Sequence, residues 1–355
     1  MKSLEVEAGP ERYQVLIGAG LIQETGALVR KLPVGERCAV VADEKVVPLF
    51  GESLISSLRG PGFLVQLYPV SGGETAKSIA QAGALCEQMS AAAFDRTSFL
   101  VSLGGGVIGD LAGFVAAIFL RGIRYVSVPT TFLAQLDSCI GGKTGVNSAA
   151  GKNLIGAFHQ PALVLTDTET LQTLSERTWN EGFAEAIKHG VIRDRELFRA
   201  CAAVDRRDPA EFIARNLRIK AEIVATDARE QTDARSLLNF GHTIGHAIEY
   251  AAGYGNILHG EAISLGMVAA AEVSVRRAGL SLGEAAQIKA ALDAHQLPTK
   301  LPADFPRARI LEALPRDKKF ERGQIRFVVA HEIGRASVSS EVTFEDLRAA
   351  LESLS

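Results

Sequence analysis

The chain has 355 residues, of which 47% are hydrophobic and 22% are charged. This composition is typical of a globular protein, and at roughly 150 residues per domain the length predicts about two domains. The formal net charge of −3 lacks the basic excess that a nucleic-acid-binding surface requires, so we expect no nucleic-acid partner. An anionic small substrate remains compatible with this charge, because a pocket can be locally basic in an acidic protein.

The cysteines and the apolar runs predict a cytoplasmic protein that does not enter a membrane. Four cysteines are scattered along the chain without a CxxC pair, which favours buried thiols over disulfides or metal ligands. The N-terminal stretch MKSLEVEAGPERYQV has no apolar core of a secretory signal. The longest apolar run, LAGFVAAIFL at 111–120, is too short to span a bilayer.

Short β-rich runs alternate with helical patterns up to about residue 165. The runs are bounded by Gly, Pro or Asp and read RYQVLIG, CAVVA, GFLVQLYPV, TSFLVSLG, RYVSVPT and PALVLTD. Strands that alternate with helices predict βαβ units. We therefore predict an α/β domain with a mostly parallel sheet over residues 1–170.

Helical patterns follow one another from Leu171 onward. They include ERTWNEGFAEAIKHGVI, DPAEFIARNLRIKAEIVATD, SLLNFGHTIGHAIEYAA, HGEAISLGMVAAAEVSVRRAG and SLGEAAQIKAALDAHQ. Only QIRFVVAHE and ASVSS have the alternation typical of strands, and they predict a small hairpin near the end. The second predicted domain is therefore mainly helical and covers residues 171–355.

The stretch VSLGGGVIGDLAGFVAA predicts a strand, a glycine turn and a helix, and Gly104, Gly106 and Gly109 fit G-x-G-x-x-G. Such a turn lets the backbone approach a phosphate at a helix N-terminus, but a plain tight turn explains the same glycines equally well. The acidic residue expected about 20 positions later is absent from 111–135. Asp43 after CAVVA and the pair Glu74 and Lys77 in SGGETAK favour a nucleotide site assembled from successive loops.

Three histidines and two glutamates favour a metal site in the helical part. His242 and His246 stand four apart in LNFGHTIGHAIEY, but Thr243 replaces the glutamate of an HExxH metalloprotease. His259 begins HGEAISLG, and NEGFAEAIKHG carries Glu181, Glu185 and Lys188 in apolar surroundings. One carboxylate with two imidazoles is a common catalytic zinc set, whereas a single histidine is more often packed in a core.

Basic residues in glycine-flanked loops favour a phosphate ligand. The loop GGKTGVNSAAGKN contains Lys143, Lys152 and Asn153. Its flexible glycine-flanked turns also expose backbone N–H donors, which suit an anion. Further basic residues are Lys220, Arg235, Lys318 and Lys319. Each of them alone is explained equally well as a solvated surface charge.

The chain resembles the 3-dehydroquinate synthase family within the sugar-phosphate cyclases. The motifs that carry the resemblance run almost from end to end: SGGETAK, LGGGVIGDLAGFVAA, LDSCIGGKTGVN, AEAIKHG, LNFGHTIGHAIE, HGEAISLGM and DKK. The implied fold is an α/β N-terminal dinucleotide-binding domain with a mostly parallel sheet, followed by a mainly α-helical metal-binding domain. This is the fold that the alternation of strands and helices predicts.

The resemblance also implies a role for individual residues. The metal ligands are Glu185, His242 and His259, whereas His246 faces the substrate, together with the catalytic residues Lys188, Asn239, Asp137 and Glu230. NAD contacts are implied for Asp43, Glu74, Lys77, Gly105, Gly106, Val107, Asp110, Thr130, Thr131, Lys143, Lys152, Thr173 and Leu174. Substrate contacts are implied for Lys143, Lys152, Asn153, Lys220, Arg235, Arg121, Lys318 and Lys319, with Arg121 reaching the neighbouring subunit of a homodimer.

The implied reaction converts 3-deoxy-D-arabino-heptulosonate 7-phosphate to 3-dehydroquinate and phosphate, a step of the shikimate pathway to aromatic amino acids. It proceeds by transient oxidation with NAD, phosphate elimination, re-reduction and aldol closure, with zinc, or cobalt in its place, as the metal. Three alternatives stay open. They are a cyclase for a sugar phosphate without a carboxylate, a metal-dependent polyol dehydrogenase, and a nucleotide-binding regulatory protein. The pair Lys220 and Arg235 favours the carboxylate-bearing substrate.

Overall fold

The computed structural model describes residues 1–71, 73–149, 151–253, 255–314, 320–321 and 324–354. The chain forms two compact units, the first from Met1–Ser175 with Arg207–Arg229 and the second from Glu176–Arg206 with Glu230–Ser355. The division of functions between residues 1–170 and 171–355 remains a prediction. In the described part of the chain, no helix combines the length and the apolar character that crossing a membrane requires.

The first unit is built on a seven-stranded sheet in the order β1-β2-β9-β6-β5-β3-β4. Its strands are β1 (Lys2–Ala8), β2 (Glu11–Gly18), β3 (Arg37–Asp43), β4 (Leu64–Val70), β5 (Phe99–Gly104), β6 (Arg124–Pro129) and β9 (Leu163–Asp167). Only the pair β1 and β2 is antiparallel, and all other neighbours in this sheet are parallel. The prediction of a mostly parallel sheet is therefore confirmed.

Helices cover both faces of this sheet, which explains why its inner strands are apolar without alternation. They are α1 (Leu21–Val29), α2 (Glu52–Arg59), α3 (Ile79–Ala91) and α4 (Gly106–Ile118). Successive residues of β5 point to opposite cores: Leu100 packs with residues of α3 and α4, whereas Phe99 and Val101 pack with residues of α1 and α2. This double burial keeps the sheet rigid beneath the loops that follow its strands.

Two further elements complete the first unit. The antiparallel hairpin of β7 (Lys143–Ser148) and β8 (Gly151–Phe158) packs beside α4. Helix α7 (Ala210–Thr226) lies later in the chain, yet it packs on β1 and on the π-helical turn Ala134–Ser138. Thus Lys220, on α7, belongs to the same unit as the sheet.

The second unit is mainly helical, as predicted. Its helices are α5 (Glu176–Arg193), α6 (Arg195–Ala200), α8 (His242–Ala252), α9 (His259–Arg277), α10 (Leu282–Ala294), α11 (Arg307–Ala313) and α12 (Phe344–Glu352). The short strands are β10 (Phe320–Glu321), β11 (Gln324–Ile325), β12 (Phe327–Glu332) and β13 (Arg335–Ser339). The predicted hairpin is confirmed by the antiparallel pairing of β12 with β13.

Close approach of backbones fixes α5, α8 and α9 relative to one another. A Cβ on Gly266 of α9 would lie 2.0 Å from the carbonyl oxygen of Gly241, the residue before α8. A Cβ on Gly260 of α9 would lie 2.1 Å from the carbonyl oxygen of Glu181 on α5. Only glycine allows such contacts, so these positions hold the histidine-bearing helices at short range.

Candidate active site

The predicted nucleotide contacts of the first unit gather at one edge of its sheet. Strands β3, β4, β5, β6 and β9 run parallel, so the loops after their carboxyl ends leave the sheet on the same side. The ends of these strands, the loops after them and the first turns of α4 carry Asp43, Glu74, Lys77, Gly105, Gly106, Val107, Asp110, Thr130, Thr131, Thr173 and Leu174. Ligands of open parallel sheets bind at this edge, where neighbouring connections leave a crevice.

The glycine turn stands at the N-terminus of α4 with very little room around it. A Cβ on Gly105 would lie 3.0 Å from the Thr131 methyl carbon, and one on Gly106 would lie 3.1 Å from the Ser138 hydroxyl oxygen. A side chain at either position would crowd its neighbours at the start of α4, the end of a helix where backbone N–H groups can bind a phosphate. Gln135, which is fully buried, ties this edge together by donating to the carbonyl oxygens of Pro129 and Asp167.

A polar network joins the loop after β4, helix α4 and the β7–β8 hairpin. The ammonium of Lys77, only 4% exposed, donates to Asp110 and to the side-chain oxygen of Asn153. The Glu74 carboxylate accepts a hydrogen bond of 2.8 Å from the side-chain amide of Asn147. A carboxylate oxygen of Glu74 also lies 3.6 Å from Lys152 Nζ. The structure thus brings together five of the residues implied by the resemblance: Glu74, Lys77, Asp110, Lys152 and Asn153.

Lys220 and Asp137 form a second polar pair in the first unit. Lys220 Nζ donates to the backbone oxygen of Asp137 at 2.8 Å and lies 2.8 Å from a carboxylate oxygen of the same residue. Asp137 sits in the π-helical turn and Lys220 on α7, so the fold joins residues that are 83 positions apart in sequence. Other predicted residues of this unit are exposed, namely Lys143, Asn153 and Arg121.

The second unit carries a cluster of one glutamate and two histidines. Glu185 of α5 is fully buried, and its Oε1 lies 3.4 Å from Nε2 of His242 and 3.4 Å from Nε2 of His259. One ligand atom of each of these residues lies within 4.8 Å of the others, a spacing that a single metal ion can bridge. The ring of His246 stands 5.3 Å from the His242 ring and is itself exposed.

The chemistry of this cluster fits a divalent metal. Neither oxygen of Glu185 accepts a hydrogen bond of normal geometry from the described residues, although Lys188 Nζ forms an ion pair with it. A buried carboxylate is costly unless positive charge offsets it; Lys188 supplies one such charge, and a metal ion would supply more. Two imidazole Nε2 atoms face the same oxygen, which is the arrangement of a Glu/His/His zinc set. The three predicted ligand residues thus lie close together, and the binding of a metal ion by them remains a prediction.

The charge states in this cluster differ between the two histidines. Burial lowers the pKa of His242 and outweighs the raising effect of Glu185. Burial also disfavours the charged form of His259, but Glu249 and Glu185 outweigh it and raise the pKa of His259 to about 10. The pKa of Glu185 lies well below its usual value, because Lys188 and His242 offset the effect of its burial.

Metal binding should therefore displace a proton from His259. The raised pKa of His259 favours the protonated imidazole at neutral pH in the metal-free chain, and a protonated nitrogen cannot ligate a metal. We expect release of about one proton per metal ion at neutral pH, with affinity rising by about tenfold per pH unit. Calorimetry in buffers of different ionisation enthalpy measures this release. Affinity that stays constant between pH 6 and 9 would contradict the prediction.

Three of the remaining predicted residues of the second unit lie on α5 or on the short helix before α8. Lys188 is buried one turn after Glu185 on α5, and Arg235 and Asn239 lie on a short 3-10 helix (Arg235–Asn239) that precedes α8. Arg235 is only 2% exposed, whereas Glu230 is exposed and has a positive φ of 54°. Lys318 and Lys319, predicted to contact substrate phosphate, lie outside the described residues.

Sequence reasoning missed three residues that shape these clusters. Asn147 and Gln135 organise the first unit through contacts that depend on the fold and have no local sequence signal. Glu249 is different. It lies on α8 seven residues after His242, a spacing of about two helical turns, and its carboxylate lies 3.5 Å from Nδ1 of His259. That spacing places it on the histidine face and could have drawn attention to it.

Solved structures of sugar-phosphate cyclases share the fold of this chain. A 2-epi-5-epi-valiolone synthase from Streptomyces hygroscopicus subsp. jinggangensis, solved with NAD⁺ and Zn²⁺, is 29% identical with a TM-score of 0.87 and 96% of each chain covered. A 2-deoxy-scyllo-inosose synthase matches with a TM-score of 0.89 over 100% of each chain, and its 23% identity shows the fold alone. These two matches place the fold of this chain among those of the sugar-phosphate cyclases.

The chain belongs to the 3-dehydroquinate synthase family. Residues 67–181 match the family model described as 3-dehydroquinate synthase N-terminal, and residues 182–320 match the one described as 3-dehydroquinate synthase C-terminal. The 3-dehydroquinate synthase of Symbiobacterium thermophilum is 46% identical over 98% of this chain and 99% of its own length. That of Thermodesulfovibrio yellowstonii is 41% identical over 99% of each chain. The resemblance found in the sequence motifs is confirmed.

Proposed function

We propose that this chain is a carbon–oxygen lyase that converts 3-deoxy-D-arabino-heptulosonate 7-phosphate to 3-dehydroquinate and phosphate. The observation that carries the proposal is the family match along the chain, joined to a buried Glu185 that faces two imidazoles. The cofactors are NAD and one divalent metal, zinc in the first instance. A zinc ion held by Glu185, His242 and His259 would supply polarisation of the hydroxyl that is oxidised, and NAD held at the sheet edge would supply a reversible hydride acceptor.

The residues of the first unit bind the nucleotide and the phosphate. The glycine turn at Gly105 and Gly106 offers backbone N–H groups to the NAD pyrophosphate. Asp43, at the end of β3, accepts hydrogen bonds from ribose hydroxyls. The ammonium groups of Lys152 and Lys143 neutralise the substrate phosphate. The ion pair with Glu74 holds the ammonium of Lys152 near the sheet edge.

The residues of the second unit act on the carbon skeleton. The metal is held by Glu185, His242 and His259. The ammonium of Lys188 forms an ion pair with the Glu185 carboxylate. From this position Lys188 donates a hydrogen bond to the substrate hydroxyl that is oxidised. His246 is exposed beside the ligand His242, so it is placed to relay protons without holding the ion. Asn239 and Glu230 orient substrate hydroxyls, and the same role is assigned to Asp137. The departing phosphate accepts the proton that is lost on elimination.

The cycle leaves NAD unchanged, which separates this reaction from that of a polyol dehydrogenase. We expect activity to require NAD⁺, and phosphate release to proceed without accumulation of NADH, because the hydride returns to the substrate ketone. The measurement follows phosphate and the cyclic product by chemical assay and NADH by its absorbance, with the heptulosonate phosphate, NAD⁺ and zinc present. NADH that accumulates in step with substrate consumption would assign the chain to the dehydrogenases instead.

We also propose a homodimer in which Arg121 serves the neighbouring subunit. Arg121 follows α4, and the 13 residues of that helix place it about 20 Å from the glycine turn. The first unit also exposes the large apolar side chains Ile118, Leu120, Leu154, Ile155 and Phe158 on α4, on the turn after it and on β8. Such exposure around a predicted phosphate ligand fits a subunit interface.

The dimer is tested by mass and by complementation. We expect the wild type to sediment as a dimer. The double variant Leu154→Ser, Phe158→Ser should sediment mainly as a monomer and lose activity. Mixing an Arg121→Ala chain with a Glu185→Gln chain should restore part of the activity, since one site of the mixed dimer is intact. A fully active monomer would refute the proposal.

We also propose a cytoplasmic location. The four cysteines are free thiols, three of them buried, which fits a reducing compartment.

A further inference from the structure

The two predicted histidine ligands are anchored in the same way by different acceptors. His242 turns Nε2 toward Glu185, at 3.4 Å from Oε1, and its Nδ1 lies 3.1 Å from the carbonyl oxygen of Phe240. His259 also turns Nε2 toward the same oxygen, at 3.4 Å. Its Nδ1 lies 3.5 Å from Oε2 of Glu249. Each ring therefore has one nitrogen on the Glu185 side and one nitrogen facing an acceptor.

Glu249 is held in this position by the packing of two helices. It lies on α8 and is only 2% exposed, and the glycine contact between Gly266 and Gly241 brings α8 and α9 close together. Burying a carboxylate so completely has a cost that must be offset by a favourable interaction. The facing imidazole of His259 supplies that interaction in the described structure.

We propose that Glu249 is a positioning residue for the metal site, which holds His259 in the tautomer with the proton on Nδ1. This inference rests on the proposed metal-dependent function. A carboxylate that accepts from Nδ1 leaves the lone pair on Nε2, fixes the plane of the ring and makes Nε2 a stronger ligand. The backbone carbonyl of Phe240 does the same for His242 without adding a charge.

The negative charge of Glu249 has a second effect, because it partly offsets the positive charge that a divalent ion would bring into the site. A divalent ion brings two positive charges into a buried site, and the one carboxylate of the ligand set, Glu185, is already in an ion pair with Lys188. Glu249 adds a negative charge next to the ligand His259 without occupying a coordination position. An open position for substrate is thus retained while the site becomes less positive.

One competing arrangement uses the same residues. His246, Glu249 and His259 also offer ligand atoms that lie within 4.8 Å of one another. In that arrangement Glu249 would be a direct ligand and His246 its partner. The geometry favours the positioning role, because Glu249 faces Nδ1 of His259 whereas Nε2 of the same ring faces the fully buried Glu185.

The test measures metal affinity directly, by competition of Zn²⁺ and Co²⁺ with a chelator. We expect Glu249→Ala to bind the ion about 10- to 100-fold more weakly, the usual effect of losing a supporting partner of a ligand. Glu249→Gln keeps an acceptor oxygen but lacks the charge, so its affinity should lie between those of Glu249→Ala and the wild type. Glu272→Gln removes a carboxylate from α9 that pairs with Arg276, and it should leave the affinity unchanged.

Two further readouts separate positioning from a general effect on folding. Thermal unfolding of the metal-free variants shows whether the fold survives. In the zinc-loaded wild type, nitrogen NMR of labelled histidine should show a protonated Nδ1 on His259, with a weaker hydrogen bond in Glu249→Gln. Wild-type affinity in Glu249→Ala would overturn the inference, as would His246→Ala losing as much affinity as Glu249→Ala. A wild-type chain that binds no metal would instead refute the proposed function.

Discussion

Replacing His242 by alanine should abolish stoichiometric metal binding and phosphate release together. His242 presents Nε2 to the buried Glu185 carboxylate at 3.4 Å and is one of three residues whose ligand atoms converge. With two protein ligands left, the site cannot hold a tetrahedral zinc ion in the usual way. We expect the loss of affinity to exceed the roughly 10–100-fold that removal of a supporting partner causes. Metal analysis of the purified variant and an assay of phosphate measure the two losses.

The matched control is His246→Ala, one helical turn away on the same helix. Its ring lies 5.3 Å from that of His242, but it is exposed and stands outside the Glu185 set. We expect this variant to keep one metal ion per chain and to lose about 10²–10⁴-fold in kcat, the usual contribution of a general acid or base. Equal loss of metal in both variants would refute the division of the two histidines between metal binding and proton transfer.

Local patterns made much of the α/β unit predictable. The run CAVVA is continuously apolar, and in TSFLVSLG the segment FLVSL is interrupted only by Ser102. Neither shows the alternation of a strand with one exposed face, and they form the adjacent strands β3 and β5. The glycine turn was predictable for a similar reason, since a strand, three glycines and a helix are consecutive in sequence. Helix α7 was not, because its pattern predicts only a helix and its packing on β1 depends on contacts between distant residues.

The metal cluster shows where sequence information ends. The four-residue spacing of His242 and His246 predicted a shared helical face but left open which of them holds an ion. The structure separates them, because His242 is buried against Glu185 whereas His246 is exposed. The distinction arises from the approach of α5 and α9 to α8, and a helix crossing has no signal in one short motif. The glycines at 241, 260 and 266 were the nearest hint, since they mark close contacts between backbones.

Substrate choice provides the last prediction, and it depends on the charge of Arg235. Its guanidinium is 2% exposed at the start of the 3-10 helix that leads into α8, and this short helix packs against α5. Arginine remains charged when buried, so this position fits a carboxylate that is recognised through two parallel hydrogen bonds. Replacing Arg235 by methionine keeps a long side chain of similar shape while removing the charge and the donors.

We expect Arg235→Met to raise KM for the heptulosonate phosphate and to lower kcat/KM by about 1.5–3 kcal/mol, or roughly 10- to 150-fold. Arg276→Met, on the exposed face of α9 where it pairs with Glu272, should leave both constants unchanged. The decisive comparison uses sedoheptulose 7-phosphate, which lacks the carboxylate. The wild type should turn it over poorly, because this sugar has no carboxylate to accept the two parallel hydrogen bonds of the Arg235 guanidinium, and Arg235→Met should have little further effect on it. If the wild type cyclises both sugars equally well, or if the mutation impairs both equally, Arg235 does not bind the carboxylate. The carboxylate-free cyclases then become the better assignment.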